Sequence, residues 1–359
     1  MKIGKYEIKH PIIQGGMGVG ISWDQLAGHV SLEGGLGVIS AVGTGYYRKL
    51  SPNVNIVMKK DKPKEVLNFY SKEALKEIVD NARKICGNLP LAVNILYAIN
   101  DYGRVVRDAC EAGANIIITG AGIPTNMPEF TKNFPDVALV PIVSSARALK
   151  LICKKWQRYN KIPDAVIVEG PLSGGHQGFK YEDCFKEEFQ LENIVPPVLE
   201  EVKNWGNIPV IAAGGVWNKK DIDKFLALGC AGVQMATRFI GTFECDADVN
   251  FKNVLLNAKE EDIVLMGSPV GLPARGVKTN LQFSIENKTA PKVQCISNCV
   301  APCNRGTEAK IVGYCIADRL GAAYKGDLET GLFFSGSNGY KIDKIISVKE
   351  LMEKLTKGE

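Results

Sequence analysis

A histidine lies inside a glycine-rich turn, where the chain reads Gly-Gly-His-Gln-Gly at residues 174–178. The turn follows an apolar run at residues 165–168. Glycines after a strand let backbone N–H groups approach an anion, because no Cβ stands in the way. An imidazole placed there can exchange protons near neutral pH. The turn therefore predicts a site for an anion or cofactor with His176 as its acid–base group; a loop that needs glycines only for its shape is the alternative.

Two further turns carry backbone donors that suit a phosphate group. One follows a short apolar run and contains Gly214 and Gly215, and the other contains Ala236 and Thr237 after the next such run. These two runs are the seventh and eighth of the eight strands predicted below. In (β/α)8 barrels the loops after strands seven and eight commonly bind phosphate. Each turn alone is a weak signal, because glycines also end strands for steric reasons. Both together predict a phosphate-bearing cofactor, with the hydroxyl of Thr237 as a further donor.

Other polar and glycine positions lie at the ends of the same predicted strands. Four glycines within residues 14–20 keep the backbone open to a planar ligand, and Asn94 offers a donor and an acceptor to a ring edge. Met235 is expected to pack in the core. Arg238 could hold a phosphate or a nearby carboxylate. Arg275, in a segment rich in proline and glycine, could face an anionic ligand or belong to a plain connection.

Short apolar runs alternate with stretches of helical periodicity over most of the chain. Most of these runs are apolar on both faces, as parallel strands covered by helices must be. Glycine-rich turns follow several of them, whereas a doubly wound sheet would need a glycine fingerprint after the first strand only. We therefore predict an α/β fold, a (β/α)8 TIM barrel. Its eight predicted strands are residues 11–14, 36–40, 91–95, 115–119, 138–143, 165–168, 209–212 and 232–235.

Three stretches outside the strands carry further expectations. Ser71 is a suitable N-cap for the helix that follows it. Residues 50–68 are longer than a normal connection and predict an insertion or lid. The β–α alternation fades after about residue 242, so residues 1–280 are predicted to form the barrel and residues 281–359 a C-terminal extension packed on it.

Charge and composition exclude several classes of protein. The net charge of +5 is spread over 359 residues without a block of like charges, so neither nucleic acid nor a membrane surface is an expected partner. No apolar run approaches the roughly 20 residues that a membrane helix needs. No apolar signal core follows the first residues, and we expect a cytoplasmic protein.

Taken together, the motifs resemble those of the nitronate monooxygenase family, formerly called 2-nitropropane dioxygenases. The matching segments are Gln-Gly-Gly-Met-Gly at residues 14–18, Gly-Gly-His-Gln-Gly at 174–178, Ala-Ala-Gly-Gly-Val at 212–216 and Gly-Val-Gln-Met-Ala-Thr-Arg-Phe at 232–239. Flavin-dependent enoyl-acyl carrier protein reductases and some NAD(P)H:quinone reductases share this barrel. The resemblance implies an FMN-dependent oxidoreductase that oxidises alkyl nitronates or nitroalkanes with O2.

The resemblance also implies roles for individual residues. His176 occupies the family's catalytic position, where it can deprotonate a nitroalkane or hold the nitronate anion. Leu172 and Ser173 depart from the usual pattern before the glycine pair, which leaves FMN binding intact but puts the substrate in doubt. The implied FMN-binding residues are Gly15, Gly16, Met17, Asn94, Gly174, Gly175, Ala213, Gly214, Gly215, Gln234, Met235, Ala236 and Thr237.

Two other functions stay open at this point. The first is an NAD(P)H-dependent flavin reductase that acts on an enoyl thioester or a quinone, in which the histidine would polarise a carbonyl or supply a proton. The second is a catalytically silent protein that binds a phosphate-bearing ligand, although binding alone does not need an acid–base group at His176. The sequence leaves open whether NAD(P)H is the electron donor and whether the chain forms a homodimer.

Four of the ten cysteines cluster near the C-terminus, at Cys295, Cys299, Cys303 and Cys315. Thiolates at this spacing suit an iron–sulfur cluster or a structural zinc ion. A set of unliganded thiols in a C-terminal cap is the alternative. An iron–sulfur cluster would favour the reductase function, because a one-electron relay has little use in direct nitronate oxidation.

Overall fold

Eight parallel strands form the centre of the molecule in a computed structural model that describes residues 1–48, 64–290, 300, 303 and 313–358. Each overlaps one predicted strand, so the predicted (β/α)8 barrel is confirmed. In chain order they are β1 Ile12–Gln14, β2 Gly37–Ser40, β3 Leu91–Leu96, β4 Ile116–Gly120, β5 Ala138–Val143, β6 Val166–Glu169, β7 Val210–Ala213 and β8 Gly232–Met235.

The ring of strands closes between its first and second members. The order around the sheet is β1-β8-β7-β6-β5-β4-β3-β2. A parallel bridge joins Ile13 to Leu36, and the backbone N–H of Gln14 donates to the Leu36 carbonyl at 3.0 Å. Closure removes both sheet edges and brings the carboxyl ends of all eight strands to one mouth.

The helices surround this ring and bury its outer face. Among the described residues they are α1 Asp24–Leu32, α2 Thr44–Tyr47, α3 Lys64–Cys86, α4 Tyr102–Glu111, α5 Met127–Phe130, α6 Ala146–Trp156, α7 Leu191–Val202, α8 Lys219–Leu228, α9 Thr237–Ile240, α10 Val249–Asn257, α11 Asn280–Glu286, α12 Ile316–Tyr324 and α13 Val348–Lys357. No helix in the described part of the chain is long and apolar enough to cross a membrane.

Helix α3 corrects one local prediction. It begins at Lys64, so Ser71 lies inside the helix and the prediction of Ser71 as the N-cap is wrong. Helix α2 packs against α3, and the Thr44 hydroxyl donates to the Ser71 carbonyl at 3.3 Å, so tertiary contacts support the extra turns. Residues 64–68 of the predicted insertion are the first turn of α3, and residues 50–63 lie outside the described residues.

Strand alternation decides which side chains reach the barrel mouth. Val166 and Val168 pack outward under the helices, whereas Ile167 lies in the inner core. Glu169 follows on the inner face, because successive side chains of a strand point to opposite sides. The registers align Glu169 with Ala213 and Ala213 with Gln234. These three residues therefore form one inward-facing row at the upper end of β6, β7 and β8.

The C-terminal part of the chain returns to the barrel. Helix α13 packs against α1 and α8, and a parallel bridge joins Thr242 to Ile346. A second, three-stranded antiparallel sheet stands above the mouth and consists of Gly175–His176, Ala274–Val277 and Ile263–Met266. An antiparallel bridge between Gly276 and Phe334 brings the C-terminal region to this sheet. The predicted division at residue 280 stays a prediction.

Candidate active site

One large cavity opens at the carboxyl ends of the barrel strands. Its volume is about 1540 Å³, and loops from most of the strands contribute to its wall. The structure brings all the residues that the sequence singled out for cofactor binding and catalysis to this one wall: Gly15, Gly16, Met17, Asn94, Gly174, Gly175, His176, Ala213, Gly214, Gly215, Gln234, Met235, Ala236 and Thr237.

The glycines after β1 are needed for close packing. A Cβ added at Gly16 would lie 2.4 Å from the Cβ of Asn94, which is impossible without movement of the backbone. Asn94 is itself buried within β3, two residues before its end. The first turn therefore lies directly against the polar side chain of β3. This contact keeps both at the cavity wall, as the motif predicted.

The turns after β7 and β8 lie side by side. Gly214 and Gly215 have φ angles of +99° and +83°, in the left-handed region that favours glycine. Thr237 Oγ1 accepts a hydrogen bond from the Gly336 N–H at 2.8 Å, which leaves the hydroxyl proton available to a ligand. The side-chain amide of Asn338 donates to the Gly215 carbonyl at 2.8 Å.

The last two contacts come from a turn to which the sequence assigned no chemistry. Residues 335–339 read Ser-Gly-Ser-Asn-Gly and look like an ordinary surface turn. In the structure this turn packs on the glycine turn after β6, since a Cβ at Gly174 would lie 2.7 Å from Gly336 N. Through Gly336 and Asn338 it also supports both loops of the predicted phosphate site. Only its unusual glycine and asparagine content could have drawn attention to it.

His176 is held firmly at the mouth. It pairs with Ala274 in the second sheet, its Nε2 lies 2.7 Å from Ser268 Oγ, and its ring meets Phe334 edge-on with centroids 5.4 Å apart. Burial lowers the pKa of His176 to about 4, because it strips water from the charged imidazolium. The imidazole is therefore neutral at pH 7, as a proton acceptor at the cavity wall must be.

Gln177, the next residue of the motif, stabilises the turn itself. Its buried amide Nε2 donates to the Ser173 carbonyl at 2.9 Å and to the Gly175 carbonyl at 3.0 Å. These two hydrogen bonds tie the backbone of the turn together and so fix the position of His176. The sequence left this role unassigned, although glutamine is a residue type that can satisfy two carbonyls at once.

Comparison with known proteins agrees with this arrangement of strands and motifs. A family model described as nitronate monooxygenase matches residues 1–358. The chain belongs to the nitronate monooxygenase family. It is therefore an oxidoreductase, and its (β/α)8 barrel is the fold of its structural neighbours.

Individual relatives show how far the likeness extends. A probable nitronate monooxygenase of Staphylococcus saprophyticus is 28% identical over 290 residues, which are 77% of each chain. The solved structure of FabK from Thermotoga maritima has a TM-score of 0.71 at 28% identity and covers 98% of this chain and 93% of its own. A nitroalkane oxidase of Streptomyces ansochromogenes has a TM-score of 0.67 at 21% identity, covers 97% and 95% of the two chains, and shows a likeness of fold.

The structure places the two arginines that the sequence analysis considered for anion binding, and one of them departs from that expectation. Arg275 is buried, and its Nη2 donates to the Pro171 carbonyl at 2.8 Å, so it supports the loop before the glycine turn. The idea that Arg275 faces an anionic ligand is wrong, because its guanidinium is turned toward this loop. Arg238 lines the cavity and lies over the Trp217 ring, 4.7 Å from its centroid.

Glu169 is a cavity residue that the sequence analysis missed. It ends β6, is half-buried, and has no hydrogen-bond or ion-pair partner among the residues the structure describes. Desolvation raises its pKa to about 7. The sequence feature that could have identified Glu169 is an acidic residue directly after the apolar run at residues 165–168. The carboxyl is a second proton-exchanging group in the cavity of this nitronate monooxygenase family member.

Replacing this acid by its neutral amide, Glu169→Gln, should stabilise the protein at high pH. The unfolded carboxyl ionises near 4.5 and the folded one near 7, so the wild type loses stability as pH rises between these values. At pH 8 we expect Glu169→Gln to be more stable by roughly 3 kcal/mol, and at pH 5 by less than about 1 kcal/mol. Denaturant unfolding at both pH values measures the difference.

The exposed Glu200→Gln variant is the matched control, because that carboxylate pairs with Lys203 at the surface and is 74% exposed. It should leave the pH dependence of unfolding as in the wild type. An equal gain for Glu169→Gln at pH 5 and pH 8 would show that the carboxyl at position 169 ionises normally.

The cysteine cluster is only partly described. Cys295 and Cys299 lie outside the described residues, and Cys303 and Cys315 are half-buried. Within the described residues no group of three or more His, Cys, Asp or Glu side chains could hold a metal ion. The four-cysteine site stays a prediction. The other six cysteines are buried in the protein, at Cys86, Cys110, Cys153, Cys184, Cys230 and Cys245.

Proposed function

We propose that this family member oxidises alkyl nitronates and nitroalkanes with O2, using FMN bound at the barrel mouth. The observation that carries the proposal is the position of His176. A neutral, firmly held imidazole stands on the wall of the same cavity as the two turns suited to phosphate. Such an arrangement places a proton acceptor beside a bound cofactor, which deprotonation at a carbon next to a nitro group requires.

The residues of the cavity fit FMN. Gln234 Oε1 is buried and has no hydrogen-bond partner within the described part of the chain, so a ligand with an N–H or O–H group would satisfy it. The phosphate would be held by the backbone N–H groups at Gly214, Gly215, Ala236 and Thr237 and by the Thr237 hydroxyl. Asn94 would face the ring. Bound FMN supplies the electron transfer that none of the side chains can provide.

The protein's own part in the reaction is to place the substrate and move its proton. His176 is unprotonated at pH 7 and can accept the proton from a neutral nitroalkane. The imidazolium that results stands beside the nitronate anion, and each charge offsets the desolvation of the other. The same residue therefore both generates and holds the anion.

The size of the cavity favours keeping the reductase function as a second candidate. Single ligand sites commonly measure about 300–1,000 Å³, and this cavity measures about 1540 Å³. A bulky second ligand, such as a pyridine nucleotide or an enoyl thioester, would use the remaining space. In that case the protein would reduce its substrate with NAD(P)H and have no need of O2.

Oxygen consumption distinguishes the two candidates. We expect the purified, FMN-loaded protein to consume O2 with propyl 2-nitronate and with 2-nitropropane, and to oxidise NADPH no faster when crotonyl thioester is added. Free FMN at the same concentration is the control for cofactor chemistry without the protein. NADPH oxidation that depends on the thioester, together with no O2 uptake on nitronate, would replace the proposal by the reductase.

A further inference from the structure

The turn at residues 335–339, here called the C-terminal turn, joins three neighbouring loops of the barrel mouth. Each of three hydrogen bonds connects it to a different loop: Ser337 N–H to the Leu172 carbonyl at 3.1 Å after β6, Asn338 Nδ2 to the Gly215 carbonyl at 2.8 Å after β7, and Gly336 N–H to Thr237 Oγ1 at 2.8 Å after β8. In every case the turn donates and the loop accepts. The turn therefore fixes the three loops relative to one another.

The hydrogen bond to Thr237 directs the hydroxyl of that residue. A threonine hydroxyl has one proton to donate and can also accept, and here the Gly336 N–H occupies an acceptor position. The hydroxyl proton must then point to another group. Hydrogen bonds in a chain polarise one another, so a hydroxyl that already accepts is the stronger donor. An anion bound at the mouth gains from this arrangement.

The hydrogen bond to Gly215 restrains a carbonyl that would otherwise oppose an anion. The carbonyl oxygen is the negative end of its peptide group, and it repels a phosphate that it faces. The side-chain amide of Asn338 holds this oxygen and offsets its partial charge. Asn338 and Gly215 both line the cavity, so this restraint acts at the cavity wall itself.

We infer that the C-terminal turn orients the donors of the phosphate site, with Gly336 and Asn338 as positioning residues that act through Thr237 and Gly215. The partners lie 99 and 123 positions apart along the chain, so the site depends on how the C-terminal region is placed. The inference rests on the proposed FMN site and adds to it that the turn matters for the phosphate of the flavin and not for its ring.

Riboflavin separates the two parts of the ligand, because it has the same ring as FMN and no phosphate. We expect Asn338→Ala in the full-length, flavin-free chain to raise the Kd for FMN about five- to tenfold. The Kd for riboflavin should change less than about twofold. Fluorescence titration with each flavin measures both values. An equal rise for both flavins, or no rise for FMN, would overturn the inference.

Asn250→Ala is the matched control for this substitution. The amide of Asn250 donates to the Gly326 carbonyl at 3.2 Å, so it too connects the barrel to the C-terminal region through an asparagine. Asn250 is not one of the described residues that line the cavity. This variant should change the Kd of neither flavin by more than about twofold. A rise in the Kd for FMN as large as that in Asn338→Ala would show a general tether and overturn the inference.

Phosphorus NMR gives a second measure at saturating FMN. In Asn338→Ala the ³¹P resonance of bound FMN should move while the flavin absorbance bands stay in place; an unmoved resonance would contradict the inference. If that variant does not fold, Gly336→Ala decides by the same measurements, because its Cβ would lie 3.2 Å from Thr237 Oγ1 and displace that hydroxyl.

The outcomes separate this inference from the proposed function. FMN binding that is equally tight in the wild type and in Asn338→Ala would overturn the role of the turn alone and leave nitronate oxidation standing. A wild-type chain that binds neither FMN nor riboflavin would contradict the proposed FMN site, and the inference with it.

Discussion

Replacing His176 by alanine should leave FMN bound and lower nitroalkane turnover by about 10²–10⁴-fold, the usual contribution of general acid–base catalysis. The side chain stands on the cavity wall and contributes no backbone donor to the predicted phosphate site. Its loss removes the proton acceptor and the group that holds the anion. Steady-state O2 consumption with 2-nitropropane, together with the flavin-to-protein absorbance ratio, measures both halves of the prediction.

His29→Ala is the matched control for this substitution. His29 lies in α1, and its Nδ1 hydrogen-bonds with the Gln25 carbonyl of the same helix at 2.8 Å. It should keep both FMN and turnover. Wild-type turnover in His176→Ala would end the assignment of His176 as the base, and loss of flavin from that variant would show that the imidazole binds the cofactor instead.

Replacing Gly215 by valine should weaken FMN binding. The residue has a φ of +83°, which a valine adopts only with strain, and an added Cβ would lie 3.0 Å from Leu172 Cδ1, so the turn is strained and the Leu172 side chain must shift. Hydrogen bonds to charged groups contribute about 1.5–3 kcal/mol each. The loss of one or two such bonds to the phosphate should raise the Kd for FMN at least about tenfold. Flavin fluorescence titration of the flavin-free protein measures the change.

Gly113→Val separates this effect from backbone strain. Gly113 follows α4 with a φ of +95°, and nothing lies within 4 Å of a Cβ added there. Both variants incur the roughly 1–2 kcal/mol of a left-handed residue with a side chain. Only Gly215→Val should weaken FMN binding. An unchanged Kd for FMN in that variant would mean that the phosphate lies elsewhere in the cavity.

The barrel could be predicted from the sequence because its strands are buried on both faces. Continuous apolar runs such as residues 165–168 are rare outside such sheets, and their alternation with helices leaves few topologies. The start of α3 could not be predicted in the same way. A serine before a helical pattern is a suitable cap, but contact with α2 extends the helix through Ser71.

The glycine turns and His176 could also be identified, because strand ends of a barrel meet at one mouth and each motif follows a strand directly. The partners of these residues could not. Ser268 lies 92 residues from His176 along the chain, and local patterns give no register between them. Glu169 was overlooked for another reason. Its carboxylate is a common residue type at a strand end, and its lack of a partner is visible only in three dimensions.

The most direct test of the central claim is an anaerobic visible spectrum of the purified protein, recorded before and after NADPH and then after propyl 2-nitronate. The account predicts a flavin spectrum that stays oxidised with NADPH and bleaches when the nitronate is added. Prompt bleaching by NADPH would identify a reductase driven by pyridine nucleotide and contradict the proposed function. A protein that neither contains nor binds FMN would contradict the assignment of the site itself.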